Sequence, residues 1–218
     1  MKMRTITVIR KRMASIIMSA VIAVAGVGIL PQYALPVQAA DVITSYNIGT
    51  ASVIKTFNDN CTIEITGSTT SNAVRIEVAS GKTVTVNLNN VTIDLNSSVG
   101  CAFKITGSGN VIINLTGTNT FISGYSYAGL QKESSGKLTI SGNGSLTANG
   151  GESGAGIGGG SRANGSDIEI SGGTITANGG EWGAGIGGGS DGDGTHIEIT
   201  GGTVTATGGR TGAGIGGG

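Results

Sequence analysis

The chain is short of most groups that build a globular interior or an active site. There is no proline after Pro36, no methionine after Met18, and after Tyr33 only seven aromatic residues: Tyr46, Phe57, Phe103, Phe121, Tyr125, Tyr127 and Trp182. Charged residues make up 12% of the sequence, and there is one histidine, His196. That histidine has no cysteine, serine elbow or second histidine in register with it, so a nucleophilic triad finds no support. A polysaccharide lyase needs clustered acidic calcium ligands with a basic residue poised as general base, yet Arg75, Arg162 and Arg210, the only arginines after residue 40, stand at unrelated stations. Paired carboxylates of the glycosidase kind are not discernible along the chain, although stacking can bring distant acidic residues together. These gaps point away from an enzyme.

Charge is equally sparse in one sign. Five of the 13 basic residues, Lys2, Arg4, Arg10, Lys11 and Arg12, precede an apolar stretch from about Met13 to Leu30, and Pro31, Pro36 and Val37-Gln38-Ala39-Ala40 follow it. A basic start, an apolar middle and a small-residue end are the marks of a secretory signal peptide, assigned to residues 1–39. The remainder carries 8 basic against 13 acidic residues, a net of 8 − 13 = −5. No basic stripe is left to neutralise phosphates or anionic lipid, which excludes nucleic acid and, once the leader is cleaved, a membrane as partner.

Glycine is abundant: 42 residues, of which 40 (42 less Gly26 and Gly28) follow residue 40. Gly-Ala-Gly-Ile-Gly-Gly-Gly occurs at Gly154–Gly160, Gly183–Gly189 and Gly212–Gly218, a period of 29 residues (154 + 29 = 183; 183 + 29 = 212). Asp167-Ile168-Glu169-Ile170 returns as His196-Ile197-Glu198-Ile199, and Thr174-Ile175-Thr176-Ala177 as Thr203-Val204-Thr205-Ala206. Apolar–polar alternation is the signature of strands, and a fixed period of this length means units that bury their apolar faces only against neighbours. The expected fold is all-β: a right-handed parallel β-helix of about six coils over residues 60–218, preceded by an N-terminal strand or cap segment at 40–59.

Weaker copies extend the pattern upstream with coils of about 25 to 30 residues, and Ala73-Val74-Arg75-Ile76 returns as Ala102-Phe103-Lys104-Ile105. Stacking at ~4.8 Å predicts one column of Ala73, Ala102, Ala128, Ala155, Ala184 and Ala213 beside an apolar ladder of Leu130, Ile157, Ile186 and Ile215. Two outward hydroxyl columns are predicted as well: Thr92, Thr120, Ser145, Thr174 and Thr203, and beside it Thr147, Thr176 and Thr205. The alignment puts Cys101 opposite Asn72, on a different side of the coil from Cys61, so two separate thiols are expected rather than a bridge. The sequence stops within a repeat, so a truncated C-terminus with uncovered strand edges and end-to-end self-association is expected.

Some motifs fail on context. Gly154-Ala155-Gly156-Ile157-Gly158-Gly159 satisfies a dinucleotide fingerprint, but nothing helical follows it and it recurs at solenoid spacing. Asp191-Gly192-Asp193-Gly194 opens like a calcium loop without its remaining ligands, leaving calcium a weak possibility and an acidic turn the plain reading. Glu169 and Glu198 share an outward column.

Val84-Thr85-Val86-Asn87-Leu88-Asn89-Asn90-Val91-Thr92-Ile93, Gly117-Thr118-Asn119-Thr120-Phe121 and Gly142-Asn143-Gly144-Ser145-Leu146-Thr147-Ala148, followed by the glycine-rich copies, resemble repeat modules of secreted Gram-positive surface proteins. These modules are similar to the pectate-lyase-like, carbohydrate-binding β-helix domains of clostridia. The resemblance implies a secreted or cell-wall-associated, non-catalytic module that contacts polysaccharide or a host or wall surface, as in adhesion. A structural stalk and a threonine-array binder of ice or another lattice are the alternatives, with an enzyme behind them. Tyr125 and Tyr127 before Ala128, and Trp182 before Ala184, share one turn column, which makes these three the candidate ligand-binding residues. The tyrosines and the tryptophan are two coils, ~10 Å, apart, a span suited to stacking on successive sugar rings.

Overall fold

A computed structural model describes residues 43–96 and 100–218. The expected signal peptide at 1–39 lies outside the described residues. The described residues contain strands and no helix. In chain order these are β1 (Thr44–Asn47), β2 (Val53–Phe57), β3 (Cys61–Thr69), β4 (Val74–Val78), β5 (Thr83–Asp94) and β6 (Phe103–Gly107). Then come β7 (Asn110–Thr116), β8 (Thr118–Ile122), β9 (Leu130–Lys132), β10 (Leu138–Gly142), β11 (Ser145–Asn149) and β12 (Ile157–Gly158). The last six are β13 (Gly165–Ile170), β14 (Thr174–Asn178), β15 (Ile186–Gly187), β16 (Gly194–Ile199), β17 (Thr203–Thr207) and β18 (Ile215–Gly216).

Every pairing is parallel, and the strands wind into a solenoid of about six turns with three faces. One face is the seven-stranded sheet β2-β4-β6-β9-β12-β15-β18. An eleven-stranded sheet supplies the other two because β5 spans a corner: Thr83–Asn89 pair with β7 and Thr92–Asp94 pair with β8. Asn90, at φ 54°, makes that corner. The segment at 40–59 carries β1 and β2, which pair in register with β3 and β4. In the repeats, glycine is required where stacked turns meet: a Cβ on Gly183 would lie 2.1 Å from the Gly154 carbonyl oxygen. No side chain fits that gap, so the turn column stays glycine.

The interior is a set of columns, one residue per turn. Val53, Val74, Phe103, Leu130, Ile157, Ile186 and Ile215 form the ladder under the seven-stranded sheet. This register corrects the expected alanine column. Phe103 pairs with Leu130, so Ala102 stands beside Gly129, and Cys101 is the residue that precedes Ala128, Ala155, Ala184 and Ala213 in the stack. The sequence match keeps alanines in phase, whereas packing keeps the large apolar side chains in phase. The two hydroxyl columns are corrected likewise: Thr92 and Thr120 belong with Thr147, Thr176 and Thr205, extended by Ser68, while Thr118 heads Ser145, Thr174 and Thr203.

Some interior columns change residue along the stack. Phe121 pairs with Ala148, then Ala177 and Ala206, and Ile105 pairs with Lys132. Phe103 and Phe121 pack with ring centroids 5.2 Å apart. Lys132 is buried and donates from Nζ to the Ser134 carbonyl oxygen at 2.8 Å; burial pushes its pKa down. Both cysteines are free, as expected, and burial pushes the Cys101 thiol up to about 12.

Candidate functional site

The turn preceding each interior alanine is built by backbone hydrogen bonds between coils. Ser153 N–H donates to the Tyr125 carbonyl, Trp182 N–H to the Glu152 carbonyl and Thr211 N–H to the Glu181 carbonyl. These bonds set the stations: Tyr125, Glu152, Glu181 and Arg210 stack in one column, and Ser126, Ser153, Trp182 and Thr211 in the next. Tyr127 occupies the adjoining station, which is Gly154 and Gly183 in the following turns. The three predicted aromatics therefore stand in the same stack of turns but at three adjoining stations, the tyrosines two turns from the tryptophan, and together form a ridge.

The ridge is polar as well as aromatic. Tyr125 is 57% exposed, and its hydroxyl pKa is raised by its hydrogen bond to the Glu152 carboxylate and by that group's charge. Arg210 places its guanidinium 3.8 Å from a Glu181 carboxylate oxygen and 6.0 Å from the Trp182 ring centroid. The indole thus sits between a cation over its ring and carboxylates one station away, and Trp182 and Tyr127 are half-buried. Such a surface offers flat ring faces for stacking and flanking carboxylates for hydrogen bonds to hydroxyls. Glu152, Glu181 and Arg210 were not anticipated as members, although the 29-residue offset connects them (152 + 29 = 181; 181 + 29 = 210).

A groove of about 560 Å³ lies on a different face, lined by residues including Asn110, Lys137, Asp167, His196 and Glu198. Asp167 and His196 occupy one station a turn apart, at φ 55° and 50°, with Oδ1 and Nδ1 3.8 Å from each other. Glu169 and Glu198 pair as expected, but Lys137 Nζ approaches Glu169 at 2.8 Å, and Thr139 and Thr200 also donate to that carboxylate, at 3.3 and 3.4 Å. These contacts hold Glu169 below the usual carboxylate range, the Lys137 hydrogen bond first among them. Along the groove, Lys137 with Glu169 and His196 with Asp167 stand as neighbouring pairs, and Glu198 lines the groove one turn beyond Glu169.

Among the described residues no three His, Cys, Asp or Glu side chains converge as a metal site. Asp191 turns the chain at φ 57°, and the Asp193 N–H donates to Asn164 Oδ1 at 2.8 Å.

Searches of curated proteins and of solved structures return no match. Three segments, residues 138–161, 168–190 and 197–218, match the family model described as Beta helix repeat, one segment for each regular turn. With the parallel three-faced stack around them, these matches identify the chain as carrying a β-helix repeat module.

Proposed function

We propose that the module is a non-catalytic glycan-binding element of a secreted or cell-wall-associated surface protein, and that it holds an extended polysaccharide along its turn ridge. The observation that carries this reading is the alignment of Tyr125 and Trp182 in neighbouring columns two turns apart, with Glu152, Glu181 and Arg210 beside them. Successive turns lie ~4.8 Å apart, so the two rings are ~10 Å apart along the solenoid axis and address sugar units of one chain. Tyr127 adds a third ring at the same turn. A stalk has the same backbone but no use for an exposed tyrosine and two half-buried rings gathered in its turns.

Affinity electrophoresis in gels containing soluble polysaccharides tests the proposal. Retention by at least one neutral or acidic glycan is expected, with loss of retention in the triple variant Tyr125→Ala, Tyr127→Ala, Trp182→Ala and a melting curve close to wild type. Unchanged retention in a folded triple variant overturns the ridge, and absence of retention across a broad glycan array favours the stalk.

A further inference from the structure

A second face of the solenoid differs chemically from the rest. The outward positions of β8, β11, β14 and β17 carry no charged side chain and no aromatic ring. The other two faces carry Glu64, Glu169 and Glu198, or Arg75, Lys104 and Glu133. The hydroxyl column from Ser68 to Thr205 runs through six consecutive turns, uncharged from β8 onward and flanked at β5 by Asp94, which pairs with Ile122, and the column from Thr118 to Thr203 runs beside it through four. Column members repeat at ~4.8 Å and the columns stand ~6.6 Å apart, two residues along a strand.

The hydroxyls of the longer column on this face are free of protein partners, whereas several on the charged face are tied up. On the charged face Thr139 and Thr200 donate to Glu169, and Ser171 donates to the Ile140 carbonyl. Among the described residues, Thr120, Thr147, Thr176 and Thr205 make no side-chain hydrogen bond to protein, although they are half-buried to exposed. Threonine holds χ1 stiffly because it is β-branched, so each such residue presents one methyl and one hydroxyl in a fixed direction. A third column is fixed too: Asn178 donates to Asn149 at 2.8 Å. Fixed, uncharged, regularly repeated hydroxyls have water as their hydrogen-bond partner, and a regular array orders that water as a lattice. Over β8, β11, β14 and β17 there is no ring to stack on sugar and no charge to hold an ion.

We infer that this face binds the surface of ice, with the two hydroxyl columns holding the first ordered water layer. The inference is independent of the glycan ridge, which lies in the turns.

The test is partition of the purified full chain into a slowly growing ice front, together with thermal hysteresis of its solution. Enrichment in the ice fraction over a non-binding protein is expected. Thr147→Lys and Thr176→Lys, both surface changes on this face, are expected to abolish that enrichment while circular dichroism and the melting curve stay near wild type. Tyr125→Ala with Trp182→Ala is expected to leave ice partition intact, so failure of the ridge and failure of this face are read separately. Exclusion of the folded wild-type chain from ice overturns the inference, as does enrichment unaffected by the lysines. Binding to crystalline cellulose that is lost in Thr176→Lys, without ice partition, assigns the face to glycan and also overturns it.

Discussion

Residues 43–137 place Phe103, Phe121 and Leu115 in the interior, whereas residues 138–218 place Leu130's successors Ile157 and Ile186, with Ala148 and Gly142, at the matching stations. The first region closes its turns with varied side-chain bonds, such as Asn119 Oδ1 accepting the Val91 N–H at 2.9 Å and the Ser123 hydroxyl donating to the Ala128 carbonyl at 2.7 Å. In the second, backbone does the same work in near-identical form: Ala155 N–H donates to Gly159 O at 2.9 Å and Ala184 N–H to Gly188 O at 3.0 Å. One architecture is thus held by apolar volume at one end and by close-stacked backbone at the other. The first region should respond to cavities and the second to added bulk.

The largest effect is expected from Phe103→Ala, which removes a fully buried ring packed on Phe121. Chemical denaturation should show a loss of about 3–5 kcal/mol. A loss under about 1 kcal/mol would mean that the interior of the first region is not close-packed. The reciprocal change in the second region is Ala148→Phe, at the station paired with Phe121. Overpacking there should cost about 1–3 kcal/mol, and a neutral result would show unused space and erase the contrast between the regions.

The next effect lies at the junction, where Cys101 stands at the head of the alanine column. The unfolded thiol ionises near 9, while burial holds the folded one protonated to about 12. The stability from burying the neutral thiol is fully present below pH 9 and is lost as the pH rises from 9 to 12, at about 1.4 kcal/mol per pH unit. Cys101→Ala should flatten that alkaline decline, as read from urea midpoints at successive pH values. The smallest effect is at the surface of the repeats. Glu169 is held below its usual value by Lys137, so its contribution is present above pH 4.5 and falls as the pH drops below it. Lys137→Met should lower stability slightly at neutral pH and flatten this acid decline, so that urea midpoints of variant and wild type converge as the pH falls below 4.5.

The regular region was legible because identical neighbours share a register: the Ile157 to Ile186 pairing follows directly from the period of 29. The irregular region was legible in kind but not in phase. Phe103 and Leu130 are 130 − 103 = 27 residues apart, while the alanines suggest 128 − 102 = 26, and one residue of slip changes which side chains share a column. Thr120 was assigned beside Ser145 for the same reason, though it pairs with Thr147. At the ridge the rings were visible as rare residue types, whereas Glu152, Glu181 and Arg210 were not, because common charged residues become a site only once the turns are stacked. Lys132 gave no signal either, since a lone lysine among polar residues reads as surface until its column is known.

The register across the junction between the two regions underlies both the ridge and the hydroxyl face, and cross-linking reads it. In a background with Cys61→Ala and Cys101→Ala, the pair Thr120→Cys and Thr147→Cys places two thiols at directly paired positions, within the roughly 7 Å that a disulfide spans. The pair Thr120→Cys and Ser145→Cys is two residues out of step, with Cα atoms ~8 Å apart. Oxidation followed by mass spectrometry should find the first pair bridged and the second reduced. Bridging of the second pair but not the first would contradict the register.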